Sequence, residues 1–236
     1  MDHQNIHLEE KAEGIAVITL KRPEKRNAIS IKMRQEISHC LEQLKADSRI
    51  GVVVFTGAGS TFSAGFDLDE FKQTNRFGEL YESSTKYHRD LWYFPLPTIA
   101  AVNGPAMGGG FDLATFCDIR ICSEKAVFGH PEIKFGAPPL FTPLRWIIGD
   151  GLARDLCLTG RRIDAREAYR IGLVSEVVEE DLLERAVAIG KSILEAPLGS
   201  LRFVKGYLVN NVGRGFEESF SIEHDQAFEE IILKKG

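Results

Sequence analysis

The run Thr98-Ile99-Ala100-Ala101-Val102-Asn103-Gly104-Pro105-Ala106-Met107-Gly108-Gly109-Gly110-Phe111-Asp112 decides how this chain folds. Thr98–Val102 reads as a strand, Phe111–Phe116 reads as a helix, and three consecutive glycines stand where one leads into the other. Glycine is the poorest helix former after proline and loses the most backbone entropy on ordering. A triplet at this junction predicts that a ligand approaches the bare backbone. The N–H groups of the helix N-terminus would then face it and stabilise negative charge. A close helix–strand contact is the alternative. Asp112 stands just inside the helix, and a second acid, Glu132, follows in Gly129-His130-Pro131-Glu132. Anion-stabilising amides with two carboxylates point to proton chemistry on an acyl group. The neighbours of Asp112 are Phe111, Leu113, Ala114 and Phe116, so the helix has little polar face and Asp112 is expected to be buried. Pro131 fixes the backbone entering Glu132.

Outward from this run the chain alternates strands and helices. Asn5–Glu10 and Ile15–Leu20 alternate like strands around a Glu13-Gly14 turn. Ser30 reads as the N-cap of a helix to Ala46, with Ile31, Ile37, Leu41 and Leu44 on one face. Gly51–Thr56 is a continuous apolar strand, which implies burial on both faces. Asp67 opens a short helix, and Arg76–Tyr93 is a longer one stopped by Pro95 and Pro97. Asp118–Ser123, Ala126–Phe128 and Val174–Val178 read as strands. Pro143–Ile148, Leu152–Leu158, Ala165–Ile171 and Asp181–Glu195 read as helices. After Pro197 the pattern is helical only, over Leu198–Val209 and Phe216–Lys234. This is an α/β core over residues 1–195 with a helical region at 196–236 that must pack its phenylalanines on the core or on another subunit.

At 236 residues, 44% of them hydrophobic, the chain is long enough to bury a large core. Its net charge of -5 gives no electrostatic case for nucleic acid or an anionic membrane. An anionic ligand needs a local patch, and Lys21, Arg22, Lys25 and Arg26 supply one, unless they are a solvated turn. Cys40, Cys117, Cys122 and Cys157 form no CxxC pair, and no histidine pair has metal-ligand spacing. They read as core thiols of a reducing, cytoplasmic compartment. No signal peptide or membrane span is visible.

The loop Thr61-Phe62-Ser63-Ala64-Gly65-Phe66-Asp67-Leu68 ends the Gly51–Thr56 strand. It lacks the Gly-Lys-Ser/Thr of a phosphate loop, has Phe62 where a dinucleotide fingerprint needs glycine, and has Thr61 where a nucleophile elbow needs one. What remains is Gly65 as a turn residue that aims the Phe66 N–H into a cleft. An ordinary loop is the alternative. Taken with the glycine triplet, the two loops would supply the two converging N–H donors that an oxyanion hole requires.

At these residues the chain resembles the crotonase superfamily of enoyl-CoA hydratases and isomerases. The resemblance covers about Ile15 to Ile189. It rests on Arg22-Pro23-Glu24-Lys25-Arg26-Asn27-Ala28, on Phe62-Ser63-Ala64-Gly65-Phe66-Asp67-Leu68 and on Asn103-Gly104-Pro105-Ala106-Met107-Gly108-Gly109-Gly110. Cys117-Asp118-Ile119-Arg120, Phe128-Gly129-His130-Pro131-Glu132 and Leu158-Thr159-Gly160 continue it. The resemblance implies a spiral of ββα units with a C-terminal helical trimerisation region, and a homotrimer or hexamer. It implies an acyl-CoA substrate, with coenzyme A as part of that substrate and no separate cofactor or metal. The Phe66 and Gly109 amides would hold the thioester oxygen. Ala64, Asp67 and Leu68 would lie against the adenine end of coenzyme A, and Lys25, Arg26 and Ala28 would line its phosphate and pantetheine region. Asp112 and Glu132 fall on the two acid positions of the hydratases.

The expected reaction is hydration of a 2,3-enoyl-CoA to a 3-hydroxyacyl-CoA. Isomerisation of an enoyl-CoA is the alternative, and hydrolysis or decarboxylation is open to the same scaffold. A non-catalytic CoA-thioester or RNA-binding relative is the rival from another class. Acidic charge speaks against RNA, and two spaced acids speak against loss of catalysis. Four departures stand out: Asp112 is shorter than the usual glutamate, Phe66 replaces a small residue, Pro138-Pro139-Leu140 replaces a glycine-rich run, and the chain stops at Gly236. Leu140 also stands where dienoyl-CoA isomerases carry a third acid, which disfavours that reaction. In the family that end often supplies an aromatic and a lysine to a neighbour's CoA pocket, and Phe220, Phe228, Lys234 and Lys235 are the residues available to substitute for them.

Overall fold

A computed structural model describes residues 3–72, 74–212, 216–221 and 224. Six strands form the main sheet: β1 (Ile6–Ala12), β2 (Ile15–Leu20), β3 (Val52–Gly57), β4 (Thr98–Val102), β6 (Ile119–Ser123) and β9 (Glu176–Val178), in the order β1-β2-β3-β4-β6-β9. The β1–β2 hairpin is antiparallel and every later pairing in this sheet is parallel. The apolar strands have no polar face because both faces are covered. Ala16, Ile18, Leu20, Val53, Phe55, Ala100 and Val102 share a core with Ile37, Leu41 and Leu44 of α1 (Ile31–Ala46). The alternate residues Ile15, Val17, Val52, Val54, Ile99 and Ala101 pack against Ala186 and Val187 of α7 (Leu182–Ile193). Ser30 caps α1 as its sequence implies, its side chain accepting from the Met33 N–H.

Between these elements lie α2 (Leu68–Phe71), α3 (Phe77–Trp92) and α4 (Gly109–Phe116). A second sheet joins β5 (Ala106–Met107), β7 (Val127–Gly129) and β8 (Arg162–Asp164). The two helices expected at Pro143–Ile148 and Leu152–Leu158 are the arms of α5 (Thr142–Thr159), joined across Gly149 at φ 79° and ψ 161°. The chain continues through α6 (Ala165–Arg170) to α8 (Leu198–Val212) and α9 (Phe216–Phe220). Lys205 of α8 is buried against Asp118, whose other oxygen accepts from the N–H and hydroxyl of Thr98. Asp118 thus ties α8 to the ends of β4 and β6. Phe220 is buried in the main core. Phe228, Lys234 and Lys235, and most of the expected Phe216–Lys234 helix, lie outside the described residues.

All four cysteines are free and buried. Burial pushes the thiols of Cys40, Cys117 and Cys122 up to about 12, which keeps them protonated and unreactive. Among the described residues there is no cluster with a metal-ligand set, and no helix is long and apolar enough to cross a membrane.

Candidate active site

The loop after β3 is held between two neighbours. On one side the Ala64 N–H donates to Arg26 O, the Ile29 N–H to Gly65 O and the Asp67 N–H to Ile29 O. On the other side the Ser63 N–H donates to Pro105 O and the Met107 N–H to Ser63 O. Successive backbone groups of an extended segment point to opposite sides. Phe66 bridges Ile29 through its neighbours' groups, so its own N–H turns the other way, toward β5 and the start of α4. It carries no hydrogen bond among the described residues, and neither does the Gly109 N–H, one of the orphan donors of the first turn of α4. Gly65, at φ 92°, makes the turn. A methyl group on Gly65 would lie 2.7 Å from Met107 O and 3.3 Å from Gly109 N, so the two loops are in contact there.

Each glycine of the triplet has its own reason. Gly108 has φ 51° and ψ -126°, and a methyl there would lie 3.0 Å from Glu132 Oε2. A methyl on Gly109 would lie 2.7 Å from Cδ1 of Phe66, so the Phe66 ring covers that glycine. One on Gly110 would lie 2.5 Å from Ser63 O. Gly110 is a close loop–helix contact, while Gly108 and Gly109 bring the chain's own Glu132 carboxylate and Phe66 ring onto bare backbone.

The acids meet because of a register. Met107 of β5 pairs with Gly129 of β7, and the Gly108 N–H donates to Gly129 O. The first turn of α4 therefore lies beside the 3-10 turn Pro131–Phe135, which carries Glu132. Asp112 is buried, at 6% exposed, as its apolar neighbours imply. His130 stands between the acids. Its Nδ1 lies 2.8 Å from Glu132 Oε1 and its Nε2 lies 3.9 Å from Asp112 Oδ1. Burial alone would lower the His130 pKa, but the bond to Glu132 and the charges of Asp112 and Glu132 outweigh it and hold the ring above its ordinary value. Sequence reasoning quoted His130 within a motif and gave it no role. Its position two residues before the acid was the available signal.

Phe66, Gly109, Asp112 and Glu132 are thus brought together. The residues assigned to coenzyme A form a neighbouring patch on the paired loops. Lys25, Arg26 and Leu68 are exposed, Ala64 is half-buried and Ala28 is nearly enclosed. Asp67 is buried, caps α2 through the Asp69 N–H and pairs with Arg22 at 2.9 Å. Lys25 pairs with Asp69 at 3.0 Å, so two of the four loop cations already face acids. Asn27, fully buried, joins the loops by donating to Ala58 O and Thr61 O and accepting from the Arg22 N–H. Sequence reasoning missed Arg34, which is fully buried with its guanidinium 4.6 Å from the Phe66 ring centre. Burial lowers its pKa to about 10 against the opposing charge of Glu70.

The profile of the enoyl-CoA hydratase/isomerase family matches residues 10–235. A short-chain-enoyl-CoA hydratase of Clostridium acetobutylicum is 39% identical over 204 residues, covering 82% of this chain and 77% of that protein. A crotonyl-CoA hydratase of Syntrophomonas wolfei is 35% identical over 235 residues, covering 95% and 89%. The crystal structure of an enoyl-CoA hydratase/isomerase from Xanthobacter autotrophicus Py2 superposes with a TM-score of 0.88 at 33% identity, covering 100% of this chain and 88% of that one.

Proposed function

The chain belongs to the enoyl-CoA hydratase/isomerase family of enzymes, and from that premise we propose that it hydrates a 2,3-enoyl-CoA to a 3-hydroxyacyl-CoA. The observation that carries this reading is the contact between the two loops that bear the Phe66 and Gly109 amides, with Glu132 and Asp112 beside them. Attack of water at C3 of the enoyl group moves charge onto the thioester oxygen. Two amides fixed by folding stabilise that charge without reorganising. One carboxylate orients or deprotonates the water, and proton delivery to C2 completes the addition. Glu132 Oε2 is buried and carries no hydrogen bond among the described residues, which suits an oxygen directed at the reacting carbon. Coenzyme A enters as part of the substrate, along Lys25, Arg26, Ala28, Ala64, Asp67 and Leu68, with no separate cofactor. The Phe66 ring over Gly109 favours a narrow or flat acyl group.

Isomerisation is the second reading. It is supported by the shorter acid at Asp112 and by the proline-rich loop before α5. Glu132 would then shuttle one proton and Asp112 would tune it. Crotonyl-CoA separates the two. Loss of its conjugated absorbance with 3-hydroxyacyl-CoA formed means hydration. Unchanged absorbance, with conjugation of a 3-enoyl-CoA, means isomerisation.

Residues 196–236 form the oligomerisation region in this reading, and the assembly is a homotrimer or hexamer. Phe203, Val204 and Leu208 of α8 are exposed, an apolar surface suited to another subunit. Buried free thiols suit the cytoplasm.

A further inference from the structure

His130 has no exposed surface. The Phe111 ring stacks on it at 4.7 Å and 29°. Nδ1 reaches Glu132 Oε1 at 2.8 Å, and Nε2 faces Asp112 Oδ1 at 3.9 Å, too far for a hydrogen bond and near enough for charge to act. The carboxylate of Glu132 lies between this ring and the bare Cα of Gly108, where a methyl would meet Oε2 at 3.0 Å.

From this geometry we infer that His130 is a positioning residue for Glu132: Nδ1–H clamps Oε1, so that Oε2 is the oxygen presented to the reacting carbon. The inference rests on the proposed role of Glu132 as acid or base. An ionised carboxylate only accepts hydrogen bonds, so Nδ1 carries the ring proton whenever Glu132 is charged. Three independent contacts then fix one side chain: the clamp on Oε1, the Gly108 backbone and the turn set by Pro131. A carboxylate free to rotate would spend part of its time with Oε2 away from the substrate, and a displacement of about 1 Å at a reacting group is worth on the order of 100-fold in rate. Asp112 on α4 and Glu132 on the Pro131–Phe135 turn are the charged groups that face the ring. Both act on the ring through charge, and Glu132 through the hydrogen bond as well.

Two variants separate positioning from packing. His130→Phe keeps an aromatic ring against Phe111 and removes the N–H. His130→Asn keeps an N–H at the Nδ1 position and removes the ring. Thermal melting first establishes that each is folded. The expected result with crotonyl-CoA is a fall in kcat of roughly 30- to 100-fold for His130→Phe with KM changed less than about threefold, and recovery in His130→Asn to within about tenfold of the parent. Recovery in His130→Asn with a pH profile of kcat/KM that has lost an inflection completes the pattern. Parental kcat in His130→Phe, equal losses in both variants, or a worse loss in His130→Asn overturns the inference. Glu132→Gln, assayed alongside, keeps the two questions apart. If it turns over normally, the acid assignment fails. If it is inactive while His130→Phe is fully active, only the clamp fails.

Discussion

His88 and His130 are both enclosed, and the protein drives them in opposite directions. His88 sits on α3 among Tyr87, Phe116, Phe220 and Phe66, with ring centres 5.2 to 5.8 Å away. Burial, with further lowering from His224 and the Arg34 guanidinium nearby, takes its pKa well below the ordinary histidine value. His130 suffers the same burial, but its neighbours are Glu132 and Asp112, and its pKa is raised. Burial sets the stakes and the partners set the sign. The Phe66 ring neighbours both regions, with the His88 ring centre 5.8 Å from its own and Gly109 against its Cδ1–Cε1 edge. Cationic neighbours accompany the lowered ring, and acidic neighbours the raised one.

The largest break in this contrast comes from removing a charge on the acid side. Glu132→Gln is expected to lower kcat by about 100-fold or more, the scale of losing an acid–base catalyst, with binding of coenzyme A unchanged by calorimetry. Next is the seam itself. Gly110→Ala places a methyl 2.5 Å from Ser63 O, which forces the two amide-bearing loops apart. Steady-state kinetics should then show a loss on the order of 100-fold, and melting should show about 1–3 kcal/mol lost to overpacking.

The histidines themselves give a smaller, signed effect, read from melting temperature against pH. His88 is neutral in the fold, so its contribution is present above pH 6.5 and is lost as pH falls below that value toward its folded pKa. The contribution of His130 is complete below pH 6.5 and fades as pH rises above it through the folded pKa. His88→Phe should flatten only the acid side of the stability curve, and His130→Asn only the alkaline side. The smallest effect belongs to the rim. Arg89 and Glu217 pair at 3.0 Å in the open, and Glu217→Gln should change stability by under about 1 kcal/mol.

Local signals carried much of this architecture. Ser30, the stripe of Ile37, Leu41 and Leu44, and the proline stops placed α1 and α3 to within a residue or two, because caps and periodicity act over a single turn. The doubly buried strands were legible as unbroken apolar runs. β5 and β8 were not, since two or three residues have no period and exist only through their partners. The same limit hid the site's wiring. Asp112 and Glu132 were visible as acids, but the Met107–Gly129 register that brings them to one histidine is tertiary. The triplet pointed to a ligand on bare backbone, where the structure has the chain's own side chains. Which ring or carboxylate met which glycine needed coordinates.

The most direct measurement is a crystal structure with a non-reactive acyl-CoA analogue that retains the carbonyl. The account predicts its oxygen about 3 Å from both the Phe66 and Gly109 amide nitrogens, with Glu132 Oε2 facing the carbon next to that carbonyl. A carbonyl bound to neither amide, or an acyl group running down a different face of α4, would contradict it.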